Sequence, residues 1–86
     1  MSASELRGQR LFNSTCSTCH HADSNQPLSG PGLKGILKKQ YLPSGAPAND
    51  ERVHDTILNG RRSMPAYGQV FDDSQIRDVI AYLHTL

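Results

Sequence analysis

The stretch Cys16-Ser17-Thr18-Cys19-His20 decides what the rest of this 86-residue chain has to build. Two thiols three residues apart, with a histidine directly after the second, are the pattern of a c-type haem attachment site. Two cysteines at this spacing can form thioethers with both vinyl groups of a haem, and the following imidazole can bind the iron. The motif therefore predicts one covalently attached haem c, with Cys16 and Cys19 as the attachment residues and His20 as an iron ligand.

The composition favours a chain that needs a cofactor. Eighty-six residues predict a single domain, residues 1–86, and only 36% of them are hydrophobic, with no tryptophan. A domain of this size buries a modest share of its surface and usually needs a cross-link or metal. A disulfide between Cys16 and Cys19 would close too short a loop to constrain the unfolded chain much. A covalent haem would supply both the cross-link and an apolar centre.

Charge and hydropathy argue against two classes of protein, those that bind nucleic acid and those that span a membrane. Nine basic and eight acidic residues are spread along the chain, for a net charge of +1. The chain has no basic stripe that would indicate nucleic-acid binding, and it has no apolar run long enough to predict a membrane span. Residues 1–5 lack the apolar stretch of a signal peptide. Because most covalent haem attachment takes place outside the cytoplasm, we expect a periplasmic or other extracytoplasmic protein whose signal or anchor has been removed.

Capping patterns predict three helices, and no stretch has the alternation typical of a strand. Ser2 with Glu5, and Asp72 with Gln75, have the spacing of a capping box. A short amphipathic turn is expected around residues 33–37. The predicted helices run, in order, from Ser2 to Ser14 or Thr15, from Asn49 or Asp50 to Gly60, and from Asp72 to the end of the chain.

Two loops carry the remaining candidate ligands. Pro31, in Gly30-Pro31-Gly32-Leu33, can offer its carbonyl to the second ring nitrogen of His20, because proline has no competing N–H. Met64 stands before Pro65, which disfavours a helical conformation there. A lone methionine is usually core filler, but a thioether is an established partner of histidine on haem iron. We therefore predict Met64 as the second iron ligand.

Other ligands and other sites remain as alternatives. His54 is the one credible competitor of Met64, although we expect His21, His54 and His84 all to be solvent-exposed. A zinc site on Cys16 and Cys19 would need a second ligand pair, and the sequence has none. A thioredoxin-like dithiol would need a strand before the motif.

Together these residues resemble the class I cytochrome c family, in particular its short bacterial monohaem members. The resemblance covers essentially the whole chain. It lies in Gly8 and Phe12 ahead of the haem motif, in Gly30-Pro31-Gly32-Leu33, in Met64-Pro65-Ala66-Tyr67, and in the terminal Val79-Ile80-Ala81-Tyr82-Leu83. It implies an all-α fold in which the N- and C-terminal helices cross and loops and short helices wrap around one covalently attached haem.

The haem propionates need partners that the sequence does not single out. The family often uses a tryptophan, which this chain lacks. We expect Arg61, Arg62, Tyr41 or Tyr67 to serve, and arginine can pair bidentately with a carboxylate. A solvated pair of arginines is the alternative.

With both axial positions filled by protein, outer-sphere transfer of single electrons is favoured over oxidase or peroxidase chemistry. We therefore expect an electron carrier, not an enzyme, and a monomer. It would meet transient redox protein partners through a small interface steered by charge, with Lys34, Lys38 and Lys39 as a local patch. The alternatives are a haem domain of a larger oxidoreductase or membrane complex and, less favoured, a haem-based gas sensor.

Overall fold

The computed structural model describes residues 1–86 and has three α-helices. They are α1 (Ala3–Leu11), α2 (Asp50–Asn59) and α3 (Asp73–Leu83). A π-helical turn, Phe12–Cys16, continues α1, and a 3₁₀ turn covers Ile36–Lys38. Only isolated bridges interrupt the loops, so the predicted all-α fold is confirmed. None of the helices combines the length and the apolar character that crossing a membrane would require.

The helix starts follow the predicted capping patterns. Ser2 and Glu5 form a reciprocal capping box, with the Glu5 N–H donating to Ser2 Oγ at 3.1 Å. Asp72 and Gln75 do the same for α3, with the Gln75 N–H 2.8 Å from Asp72 Oδ1. Asn49 and Asp50 were the two candidates for the N-terminal cap of α2, and Asn49 is the cap. Each cap satisfies backbone donors that the first helical turn leaves without partners.

The end of the first helix differs from the regular helix that we predicted. The α-helical part ends at Leu11, and the chain continues as a wider turn in which the Ser17 N–H donates to the Phe12 carbonyl at 2.9 Å. Side-chain hydroxyls account for the widening: Ser14 donates to the Leu11 carbonyl and Ser17 to the Asn13 carbonyl. Such back-bonding loosens regular helical hydrogen bonds. Single π turns of this kind occur often at functional sites.

The crossing of α1 over α3 holds the two ends of the chain together. Gly8 is buried directly against the backbone of Asp78, where a β-carbon would also lie 3.0 Å from Tyr82 Cβ. Beside it, Arg7 Nε donates to Asp78 Oδ2 at 2.9 Å. The rings of Phe12 and Tyr82 pack 5.4 Å apart between centroids. The predicted crossing near Gly8 is therefore confirmed.

The core lies between this crossing and α2. It is built mainly from one face of α3, with contributions from the π turn, the 3₁₀ turn and α2. Its buried hydrophobic residues are Phe12, Ile36, Val53, Ile57, Phe71, Ile76, Val79, Ile80, Tyr82 and Leu83.

We expect Gly8→Ala to destabilise the protein. The new methyl group would overlap the Asp78 backbone, which cannot rotate away as a side chain can. Overpacking of this kind costs about 1–3 kcal/mol. Alanine is the better helix former by roughly 1 kcal/mol, so a gain in stability would show that α1 and α3 are not in close contact. Urea denaturation followed by circular dichroism measures the effect, with the exposed site Arg10→Ala as control.

Candidate haem site

The core is open on one side, where a cavity of about 430 Å³ is lined by residues from α2, α3, the π turn and the loops. The volume is in the range of small-molecule and cofactor sites. Half of its 24 lining residues are hydrophobic, and Arg61 and Arg62 are the lining residues with a permanent charge. Its apolar wall includes Phe12, Leu33, Ile36, Val53, Ile57, Val79 and Leu83. The cavity is thus shaped for an apolar group with an anionic end near the arginines.

Cys16 and Cys19 both line this cavity as free thiols. The N–H groups of Cys19 and His20 donate to the Cys16 carbonyl at 3.1 and 3.0 Å, so the motif forms one tight turn. Burial raises the pKa of the Cys16 thiol to about 11, with a smaller contribution from Cys19. A redox-active dithiol needs a lowered thiol pKa, which is the opposite shift. The raised pKa therefore argues against thioredoxin-like exchange at this pair.

His20 is held in one orientation by the Gly30-Pro31 segment. Its Nδ1 lies 2.8 Å from the Pro31 carbonyl oxygen. Because a carbonyl only accepts, Nδ1 carries the proton and Nε2 keeps a free lone pair. The imidazole packs directly on Gly30, where a β-carbon would lie 2.8 Å from Nδ1. The Gly30 N–H also donates to the Cys19 carbonyl at 2.7 Å, which ties this segment to the cysteine motif.

Met64 also lines the cavity, on the loop that follows α2. We call residues 60–68 the methionine loop. It leaves α2 at Gly60 and returns to it, since the Tyr67 N–H donates to the Ile57 carbonyl at 2.9 Å and the Gly68 N–H to the Leu58 carbonyl at 3.1 Å. Both ends of the loop are therefore fixed to the last turn of α2.

Within the methionine loop, Arg61 and Met64 close a tight turn through two reciprocal backbone hydrogen bonds of 3.1 and 2.9 Å. Arg62, the residue directly after Arg61 in this turn, has a φ of +53°. That conformation strains a residue with a β-carbon and usually selects glycine or asparagine. Nothing in the sequence indicated it, because arginine has no preference for such turns. Strained residues of this kind concentrate at ligand-holding loops.

The other predicted haem-contacting residues divide into two groups. Arg61, Arg62 and Tyr67 line the cavity. Tyr41 is 55% exposed and is not part of the lining. Partial burial is the main cause that raises the pKa of Tyr67, so its hydroxyl keeps its proton and stays a donor.

Of the three remaining histidines, His54 and His84 have carboxylate partners outside the cavity, whereas His21 is half-buried and has none. His54 Nε2 lies 2.7 Å from Asp73 Oδ1, and His84 Nε2 lies 2.6 Å from Asp50 Oδ1. His54 does not line the cavity. The structure contains no group of three or more His, Cys, Asp or Glu side chains that could hold a metal ion, so the zinc alternative has no ligand set.

Comparisons with known proteins agree with this geometry. Residues 3–83 match a protein-family model described as cytochrome c oxidase, cbb3-type, subunit III. The chain is 31% identical over 78 residues to cytochrome c6 of Euglena viridis, covering 91% of this chain and 87% of that protein. It is 30% identical over 83 residues to cytochrome c6 of Tetradesmus obliquus, covering 96% and 91%. The crystal structure of cytochrome c6 from the diatom Phaeodactylum tricornutum superposes with a TM-score of 0.73 at 29% identity, covering 94% and 91%.

The chain belongs to the cytochrome c family. It carries one covalently attached haem c, and it is an electron-transfer protein that serves redox partners, not an enzyme. The cavity fits this group, because two thiols on one turn, an oriented imidazole and a thioether all face a largely apolar space.

We expect Gly30→Ala to destabilise the haem-loaded protein by about 1–3 kcal/mol, because the added methyl group would push the His20 ring off the Pro31 carbonyl. Guanidinium denaturation followed at the haem absorption band measures the change. Gln26→Ala, at an exposed position in the same loop that does not line the cavity, is the control and should stay within about 0.5 kcal/mol of wild type. Equal stability of the two variants would show that the ring does not pack on Gly30.

Proposed function

We propose that the protein is a one-electron carrier whose haem iron is held by His20 and Met64, with thioethers to Cys16 and Cys19. One observation carries the proposal: a single apolar cavity is lined by both thiols, by an imidazole with a fixed free nitrogen, and by a thioether on a closed loop. The haem supplies the change between ferric and ferrous states when bound. The chain supplies the ligands and the surroundings.

Two properties of the chain favour electron transfer over reaction with a small molecule. With His20 and Met64 both bound to the iron, no position would remain open for oxygen or peroxide. The apolar cavity wall and a thioether ligand both favour the less charged ferrous state, which raises the reduction potential. The Pro31 carbonyl keeps the imidazole in place and the two ends of the methionine loop keep the thioether in place, so ligation stays the same in both states.

Arg61 and Arg62 are proposed to hold the haem propionates, with Tyr67 as a further hydrogen-bond donor. All three line the cavity, and both arginines lie at its exposed edge on the methionine loop. Neither arginine forms a salt bridge within the chain. A guanidinium can take a carboxylate through two parallel hydrogen bonds.

We further propose that residues 1–86 form a single domain and that the protein works as a monomer in the periplasm or another extracytoplasmic space. Its redox partners would meet the cavity edge transiently, through a small interface. The exposed patch of Lys34, Lys38 and Lys39 is the proposed source of charge steering. Size-exclusion chromatography with light scattering would test the monomer.

Met64→Leu tests the ligand assignment. Leucine keeps the apolar volume but removes the sulfur. We expect loss of the far-red absorption band that methionine sulfur gives with ferric haem. The reduction potential should fall by on the order of 0.1 V, within the span of about 0.8 V that axial ligands cover. Gln69→Ala, at an exposed position just after the methionine loop that does not line the cavity, should leave both unchanged. If the band is retained, either a different residue supplies the sulfur or the band arises from a different ligand.

Carbon monoxide distinguishes a carrier from a gas sensor. With both axial positions occupied, we expect the absorption spectrum of the reduced wild-type protein to stay unchanged under carbon monoxide. The reduced Met64→Leu protein should bind the gas, because its sixth position is open. A wild-type protein that binds carbon monoxide as readily as the variant would favour the sensor.

A further inference from the structure

Helix α2 supplies three residues to the cavity wall, and one of them is polar. Val53, Thr56 and Ile57 line the cavity at the i, i+3 and i+4 spacing of one helix face. Val53 and Ile57 are each 7% exposed, whereas Thr56 is half-buried. A valine in place of Thr56 would complete an apolar wall with nearly the same shape, so packing alone does not require the hydroxyl.

Thr56 belongs to the part of α2 from which the methionine loop departs. Its backbone carbonyl accepts from the N–H of Gly60, the first residue of that loop, at 2.8 Å. The neighbouring Ile57 carbonyl accepts from Tyr67 near the end of the loop. Thr56 and Met64 therefore enter the cavity lining from segments that backbone hydrogen bonds hold together.

The single proton of the Thr56 hydroxyl is already used within the helix. Thr56 Oγ1 donates to the Arg52 carbonyl, one helical turn earlier, at 2.9 Å. A hydroxyl has one O–H donor and two acceptor lone pairs, so only the lone pairs remain for other contacts. A group bound in the cavity therefore meets the negative end of this hydroxyl dipole, in an orientation that the helix backbone fixes.

The other serine and threonine hydroxyls of the cavity are not fixed in this way. Ser29, Ser44 and Ser63 are exposed, so water can satisfy them in several orientations. The hydroxyl of Thr15 lies 3.3 Å from that of a neighbouring serine, and either of the two can donate. Among these lining hydroxyls, that of Thr56 is the one whose proton is held by a helix carbonyl.

The Thr56 oxygen also has no negatively charged side chain beside it in the cavity wall. The lining contains no aspartate or glutamate, and its permanent charges are the positive ones of Arg61 and Arg62. A fixed dipole acts more strongly next to apolar groups than in water, because the effective dielectric constant is lower there. The α2 wall therefore combines two aliphatic side chains with one oriented source of negative potential.

We propose that Thr56 sets the reduction potential, because the lone pairs of Oγ1 face the haem and favour its ferric state. This inference rests on the one-electron carrier proposed above. Oxidation removes one electron and leaves one more positive charge on the iron centre, which the negative end of a dipole stabilises. The hydroxyl thus offsets part of the increase in potential that the apolar wall and the thioether ligand produce. It restricts the redox partners that can reduce the protein to donors of correspondingly lower potential.

The test is a spectroelectrochemical titration of the haem-loaded wild type and the variants T56V and T56S. Valine removes the oxygen and keeps the shape, whereas serine keeps a hydroxyl that can make the same bond to the helix carbonyl. We expect T56V to raise the ratio of reduced to oxidised protein about threefold at a given solution potential, or about 28 mV at 59 mV per tenfold change. T56S should stay close to the wild type.

T85V is the matched control. Thr85 Oγ1 also donates to a backbone carbonyl, that of Tyr82 at 2.7 Å, but Thr85 does not line the cavity. Removing this hydroxyl should leave the potential unchanged. If T56V does not retain its haem, T56A replaces it and should shift the potential in the same direction, since it also lacks the oxygen.

Three results would overturn the inference. One is a T56V potential equal to or below that of the wild type, and another is the same shift in T56S as in T56V, which would assign the effect to the lost methyl group or to packing. The third is loss of the far-red methionine band in T56V, which would assign the shift to the release of Met64. All three leave the proposed electron carrier intact. A wild-type protein without that band would instead contradict the His20/Met64 ligation.

Discussion

The absence of a side chain at Gly8 is the constraint on which the rest of this structure depends. Because no β-carbon is present, α1 can lie directly on the backbone of α3 at Asp78, and the Arg7–Asp78 ion pair forms beside the contact. The start and the end of the chain are thereby joined. The π turn that follows α1 then delivers Cys16, Cys19 and His20 to the cavity from a fixed origin.

The site combines two kinds of attachment. The His20 side is held by the crossing of α1 and α3, with its Arg7–Asp78 ion pair, and by the Pro31 carbonyl that orients the imidazole. The Met64 side is held by a loop that is fixed to α2, and histidine pairs join α2 to α3.

A cavity this large in so small a chain explains the poor hydrophobic composition. The ten buried hydrophobic residues do not fill the centre of the fold, since several of them form the wall of the 430 Å³ cavity. A covalently attached haem c supplies the missing apolar volume and a cross-link at once.

The sequence by itself determined the cofactor, the three helix starts and the family, because each is written in local patterns: the cysteine–histidine motif, the capping residues and the apolar spacing of α3. It also indicated Pro31 and Met64, since proline limits the conformations around both. Only the tertiary structure decided the rest. The position of Tyr41 outside the cavity and the pairing of His54 and His84 with aspartates depend on contacts between distant segments. Such contacts form only after the helices pack, so no local pattern records them.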